Sequence, residues 1–487
     1  MKAKKYLLIP FALFLSFCIT VQVASGQKAP EKIFKAGAAK SNITPFLGEG
    51  IIGGWNPPPA THIHDELHAR CLVLDDGETK LAFIIIDNCI INRELYDEAR
   101  RIINEETGLP GANVLMSTVH THSATSSLGG SPSIIEWKKG KPFNEYQNFV
   151  VRRIADVVRI AINNLEPARI GWGKGNVPEH VFIRRWKMKP GTPMPNPLGG
   201  EDQVVMNPGV ENPNLLEPAG EPDTEVSFIS VQSADGRPLA LLANYSLHYV
   251  GGVPVGHISA DYFAIFADRI QELLKADRQD PPFIGIMSNG TSGDANNINF
   301  RGPVEKNPPY AKMKKVADDV AREVYRVHNK ITFHDWVPLK AAASDLNLEV
   351  RKPDKDMVTR AENVLNRPET VKSVHRLEKI YAEFMMEMLD WPDNIEIMLQ
   401  TFRIGDLGIA AIPFEVFAAT GMEIKTKSPF DATFTIELAN GWYGYLPTPE
   451  QHELSGYETW LGSNRVEKEA STKIVNTLMN LFDTIKK

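Results

Sequence analysis

The chain has 487 residues, 43 % of them hydrophobic, and only three cysteines. That length suits one large domain or two ordinary ones, and so few cysteines exclude a disulfide scaffold. A formal net charge of −7 argues against nucleic acid or an anionic membrane surface as the main partner, since both reward clustered Lys and Arg.

The N-terminus reads as an export signal. Lys2, Lys4 and Lys5 precede an apolar run from Tyr6 to Ile19, and Val23-Ala24-Ser25-Gly26 supplies small residues for cleavage before Gln27. The run of about 14 residues is shorter than the roughly 20 a membrane-spanning helix needs. Lipidation at Cys18 is disfavoured by the bulky Phe17. The expectation is a signal peptide over 1–26 and one catalytic domain over 27–487. The mature protein is then secreted or periplasmic, with no stable membrane insertion. Cys71 and Cys89 would remain, either paired or as buried thiols.

From there the chain reads as mixed α/β. Arg70 to Leu74 and Leu81 to Asp87 form a hairpin about Asp76-Gly77. A helix over Glu94 to Glu105 stops at Gly108 and Pro110. A strand over Asn113 to Thr118 runs into His120, and an amphipathic helix spans Tyr146 to Leu165. Lys187 to Asp223 is rich in Pro, Gly and Asn and reads as a long surface loop. Strands over Glu225 to Gln232 and Leu239 to Tyr245 flank the Asp235-Gly236 turn. A helix over Asp261 to Leu274 leads to a buried strand over Phe283 to Met287, and another helix spans Tyr310 to His328. Asp356 to Leu389 reads as one or two helices broken near Pro368. Glu396 to Ile404 pairs with Leu407 to Ile412 about Gly405-Asp406. A last strand over Thr433 to Leu438 precedes the loop Ala439 to Gly456, and the terminal helix begins near Asn464. No internal repeat is visible.

The chemistry-bearing residues sit just beyond predicted strands. In Thr118-Val119-His120-Thr121-His122-Ser123 the two histidines are two residues apart. An extended backbone therefore turns both to one side, as two metal ligands or as one ligand and one acid/base group. His248 follows the strand ending at Tyr245, and Glu415 follows the apolar strand ending at Ile412. A carboxylate in such a place is unusual without a partner. Taken alone, His248 also reads as a packed core histidine, Glu415 as a helix cap, and Tyr445 and Tyr457 as aromatic packing. Two imidazoles and a carboxylate with an open position are a catalytic zinc set. Asp261 is either a carboxylate orienting a histidine or a helix N-terminal acid.

These segments, in this order, resemble the neutral/alkaline non-lysosomal ceramidases through their catalytic N-terminal domain. The resemblance runs from Ala36-Gly37-Ala38-Ala39-Lys40-Ser41-Asn42-Ile43-Thr44-Pro45, through His68-Ala69-Arg70, His120 to Ser123, His248, Gly293-Asp294 and Tyr445 to Glu450, ending at Gly456-Tyr457-Glu458. It implies an α/β fold of mixed central sheets flanked by helices. It implies one zinc per chain on His120, His248, Glu415 and Tyr445. His122 and Tyr457 would contact the reacting group, and Arg184, with Arg185 as a near-equal, would contact substrate. The family's loop serine is Asn296 here, which excludes a serine nucleophile at that loop and favours attack by zinc-activated water. The family's C-terminal immunoglobulin-like domain is expected to be missing, since the chain stops soon after Tyr457. The resemblance implies cleavage of the N-acyl bond of ceramide or a related lipid. A carbohydrate-derived, ester or lactone substrate is the alternative, and a metal-dependent binding protein without turnover is a third reading.

Overall fold

The computed structural model of the protein describes residues 1, 32–53, 57–125, 127 and 142–487. The expected leader therefore lies outside the described residues, apart from Met1. The architecture below belongs to the compact unit Ile33–Lys487. Among the described residues no helix is long and apolar enough to cross a membrane.

One succession of elements occurs three times. Three strands follow one another antiparallel, a helix crosses back, a fourth strand adds parallel to the third, and another helix closes the unit. The first unit has strands Lys35–Asn42, His68–Asp75, Lys80–Ile86 and Val114–Thr118, with helices Arg93–Thr107 and Glu145–Asn163. The second has Glu166–Asn176, Glu225–Ser233, Pro238–Tyr245 and Ile284–Asn289, with helices Asp261–Leu273 and Ala311–His328. The third has Leu339–Glu349, Asn394–Ile404, Leu407–Ile412 and Ala432–Glu437, with helices Ala418–Lys427 and Ala470–Lys486. The expectation of no internal repeat is thus corrected. The repeat is one of topology, carried by different residues in each unit.

The first two units join through their first strands, Lys35 opposite Pro167 and Ala36 opposite Glu166, making one eight-stranded sheet. The third forms a four-stranded sheet packed against it, with Phe83 and Phe402 ring centroids 5.2 Å apart. Side chains alternate across a strand, and both faces of the first unit are buried. Leu81, Phe83 and Ile85 face the shared core between the sheets. Ala82, Ile84 and Ile86 face the helices. A strand covered on both sides reads as a continuous apolar run, which is how Leu81 to Ile86 reads.

Several expected boundaries move. The segment read as a loop from Lys187 to Asp223 contains a three-stranded sheet of Arg185–Met188, Val204–Met206 and Leu215–Pro218, seated on Trp186, Met188 and Phe300. The terminal helix begins at Ala470, after an irregular stretch from Asn464. Asp356 to Leu389 does form two helices, Lys355–Leu365 and Glu378–Met388. Cys71 and Cys89 are buried free thiols.

Candidate metal centre

The repeated topology places one residue per unit at the same point. Three residues beyond the end of each third strand stand Cys89, His248 and Glu415. His120 arrives from the first unit's fourth strand, two residues past Thr118, with φ of 66°. That unusual backbone is held from both ends of the residue. The His120 N–H donates to the Asn88 carbonyl (3.0 Å), and its Nδ1 lies 2.9 Å from the Cys89 carbonyl.

A carbonyl only accepts, so His120 Nδ1 carries the proton and Nε2 presents a lone pair. The same argument applies to His248, whose Nδ1 is 3.2 Å from the Ser292 carbonyl and 3.2 Å from Ser292 Oγ. The Ser292 hydroxyl donates onward to Glu437 Oε1 at 2.6 Å, and the other Glu437 oxygen accepts from the Val416 N–H. Glu437 is fully buried, and burial pushes its carboxyl up to about 8. Nothing in the sequence reading singled out Glu437, although a carboxylate ending the strand Ala432–Glu437 carries the same signal as Glu415.

Glu415 sits beside Tyr445 in a short parallel pairing of Glu415–Val416 with Tyr445–Leu446. Its Oε1 accepts from the Trp442 indole N–H at 3.0 Å. Its Oε2 is buried and faces His120. That oxygen lies 3.3 Å from His120 Nε2, and His122 Nε2 lies 3.2 Å from the same nitrogen. In the structure a proton shared with His120 holds the Glu415 contact together, at the point that a bound cation would occupy. The separations match the edge of a zinc tetrahedron with bonds of about 2.0–2.1 Å, roughly 3.3 Å. The ligand atoms of His120, His248 and Glu415 all lie within 4.8 Å of one another. The residues present therefore fit a zinc ion.

Electrostatics support the donor set. Burial and then the neighbouring His120 hold the His122 and His248 imidazoles well below the histidine range, so both are neutral. His120 moves the other way. Burial opposes its charge, but the Glu415 carboxylate and Cys89 outweigh that. Glu415 is lowered to about 2, because His120 and the Trp442 hydrogen bond outweigh burial. A proton and a metal ion thus compete for the same point between His120 and Glu415. A second group, Glu179, His180 and Asp319, is an ion-pair network. His180 Nε2 and Lys315 Nζ share Asp319 Oδ2 at 2.8 and 2.5 Å.

Around this centre lies a cavity of about 150 Å³, lined by His120, His122, Glu415, Tyr445 and Tyr457 together with side chains outside the expected set. His122 stacks on Tyr249 with ring centroids 3.8 Å apart and donates a hydrogen bond to the Gly53 backbone carbonyl. Gly53 has φ of 133°, and a Cβ there would meet His122 at 2.5 Å. Only glycine permits that approach. Burial pushes the Tyr445 and Tyr457 phenols up, so both keep their protons in the protein without a metal. Their rings lie 5.7 Å apart.

Arg184 stands behind Tyr445 and is not among the cavity-lining residues. Its Nε pairs with Glu458 at 2.9 Å, one terminal nitrogen donates to the Gly293 carbonyl, and its Cζ lies 5.3 Å from the Tyr445 ring. Arg185 takes the other Glu458 oxygen at 2.7 Å. Asn296 donates to Asn207, away from the cavity. Asp261 touches no histidine. Its carboxylate accepts from the N–H groups of Val250, Gly251 and Tyr262, which clamps the turn carrying Tyr249. Among the other residues that line the cavity are Trp442, Arg465, Tyr381 and Phe384. The last two come from the helix Glu378–Met388, and no sequence motif marked them.

No protein-family model matches the chain. Among solved structures, it is similar to the neutral ceramidase from Pseudomonas aeruginosa, with a TM-score of 0.67 and 14 % identity over 93 % of this chain and 75 % of that one. It is likewise similar to a ceramidase complexed with C2, at 0.68 and 14 %, covering 94 % and 76 %. At that identity the shared property is the fold, and the chain has the neutral-ceramidase fold.

Proposed function

We propose that this chain is an exported zinc-dependent hydrolase that cleaves the N-acyl bond of ceramide or a related N-acylated lipid. The observation that carries the metal is the convergence of three buried side chains, His120, His248 and Glu415, whose ligand atoms all lie within 4.8 Å of one another. His120, His248, Glu415 and Tyr445 hold one zinc per chain. When bound, the ion supplies Lewis acidity toward a carbonyl oxygen and makes water nucleophilic near neutral pH. The amide class is taken from the ceramidases whose fold the chain shares, and export from the leader-like N-terminus.

The chain's own residues divide the remaining work. The neutral His122 Nε2 faces the cavity beside His120 and takes the proton of the attacking water. The Tyr457 phenol, kept protonated by burial, donates to the oxyanion as the carbonyl carbon becomes tetrahedral. The C–N bond then breaks, and the proton held at His122 passes to the leaving amine. Arg184 and Glu458 fix Tyr445 from behind.

Replacing His120 by Ala should remove zinc and hydrolysis together, read by metal analysis and by assay on N-acyl amides and ceramide. A variant with one zinc per chain and undiminished turnover would overturn the assignment. An ester, lactone or carbohydrate-derived substrate is the second reading, favoured by the arginine in the cavity wall. A metal-binding protein without turnover is disfavoured, since His122 and Tyr457 both line the cavity.

A further inference from the structure

One wall of the cavity is built by an element that the metal chemistry does not use. The helix Glu378–Met388 falls, in chain order, between the first two strands of the third unit, Leu339–Glu349 and Asn394–Ile404. A buried carboxylate fixes its first turn. Glu378 takes Arg360 at 2.6 Å and Arg367 at 2.7 Å on separate oxygens. Ala382 and Met385 cluster with Ala361 of the preceding helix, Lys355–Leu365. Tyr381 and Phe384, three residues apart, share another face. Their ring centroids are 5.5 Å apart, and both line the cavity.

That face is held against the chain that carries Tyr457. The Tyr381 ring meets Trp460 edge-on with centroids 5.3 Å apart, and Trp460 meets Tyr457 at 5.6 Å. The hydroxyls of Tyr381 and Ser463 share a hydrogen bond of 2.5 Å. Gly462, also in the cavity wall, has φ of 105°, and a Cβ there would meet Phe384 at 3.4 Å and Tyr381 at 3.7 Å. Phe384 stays half-buried in this packing and turns ring surface to the cavity. The cavity, bounded by this wall and the metal-centre residues, holds about 150 Å³. A protein cavity of that size takes one benzene ring. A long fatty acyl chain has more than twice the carbons of benzene and does not fit between the metal centre and the wall.

We propose that Phe384, together with Tyr381, is a specificity-determining residue that limits the acyl group entering beside the metal to about one ring or six carbons. This rests on the metal-hydrolase reading above and names its substrate class as short-chain or aromatic N-acyl amides, in preference to long-chain ceramide.

The test uses the zinc-loaded full chain and a series of straight-chain acyl hydroxamates, which chelate zinc and leave the acyl tail to probe the wall. Calorimetry gives the affinities. Each methylene that becomes buried adds about fourfold. In the wild type that gain should end near hexanohydroxamate, with octanohydroxamate binding no more tightly. In Phe384→Ala, octanohydroxamate should bind about tenfold more tightly than hexanohydroxamate, with the affinity for acetohydroxamate unchanged. Phe384→Leu should fall between the two. A wild-type gain that continues undiminished to octanohydroxamate, or a Phe384→Ala profile that superimposes on the wild type's, overturns the proposal. If the Ala variant does not fold, a Phe384→Leu profile identical to the wild type's overturns it. Failure of every hydroxamate to bind overturns the metal reading and the proposal with it. Turnover of the N-hexanoyl and N-palmitoyl amides of one amine is assayed separately. Hydrolysis of neither withdraws the amidase reading, while the hydroxamate profiles still decide the role of Phe384.

Discussion

His120 and His248 owe their roles to atoms on their far sides. In each case a backbone carbonyl takes the Nδ1 proton and leaves Nε2 for the cluster that His120, His248 and Glu415 form. Partners of this kind commonly contribute ten- to hundredfold in metal affinity. Ser292 couples His248 to the buried Glu437 through its hydroxyl. Ser292→Ala should lower zinc affinity by about tenfold, the small end of that range, because the Ser292 carbonyl remains as an acceptor. Competition against a chromogenic chelator measures this, and unchanged affinity would show that the hydroxyl orients nothing. The same serine was visible in the sequence, but its partners lie 44 and 145 residues away along the chain. Chain spacing therefore carried no sign of the contact.

At the scale of elements, the strand Glu166–Asn176 shows why local propensity failed. Its sequence, EPARIGWGKGN, contains glycines at 171, 173 and 175, which weaken a strand taken alone. All three lie on one face, and that face is where Ala311–His328 and the chain after it pack. A Cβ at Gly171 would meet the Thr332 carbonyl oxygen at 2.7 Å, and one at Gly175 would meet the Glu323 side chain at 2.6 Å. Gly171→Ala should cost about 1–3 kcal/mol, the usual range for overpacking a tight contact. Gly175→Ala should cost less, because a long side chain can move where a backbone carbonyl cannot. Urea denaturation of the two variants compares them, and equal stabilities would refute the packing explanation. The helix Glu145–Asn163 was legible by contrast, since Asn144 and Gln147 form a capping box before an amphipathic run.

For the molecule as a whole, the proposed zinc ties together three units that share one topology. His120 comes from the first, His248 from the second and Glu415 from the third. A ligand that binds only the folded chain stabilises it by RT ln(1 + [L]/Kd), about 4 kcal/mol at a thousandfold excess over Kd. Removing the metal with a chelator should therefore lower the melting temperature by several degrees, and added zinc should restore it. Identical scanning calorimetry traces with and without zinc would count against a metal at this junction.

What the sequence determined by itself was local. The apolar runs, the turn pairs and the residues just beyond strand ends are set by side-chain period and by Gly and Pro, and they marked His120, His122, His248 and Glu415 as chemistry-bearing places. The gathering of His120, His248 and Glu415 into one zinc set with Tyr445, and the role of His122 beside it, came from the family resemblance. Tertiary structure decided which face of each imidazole is free, that the fold repeats three times, and that Arg465 enters the cavity while Arg184 stays behind Tyr445. Those outcomes depend on carbonyls, rings and helices brought together from positions hundreds of residues apart. No periodicity along the chain encodes such contacts.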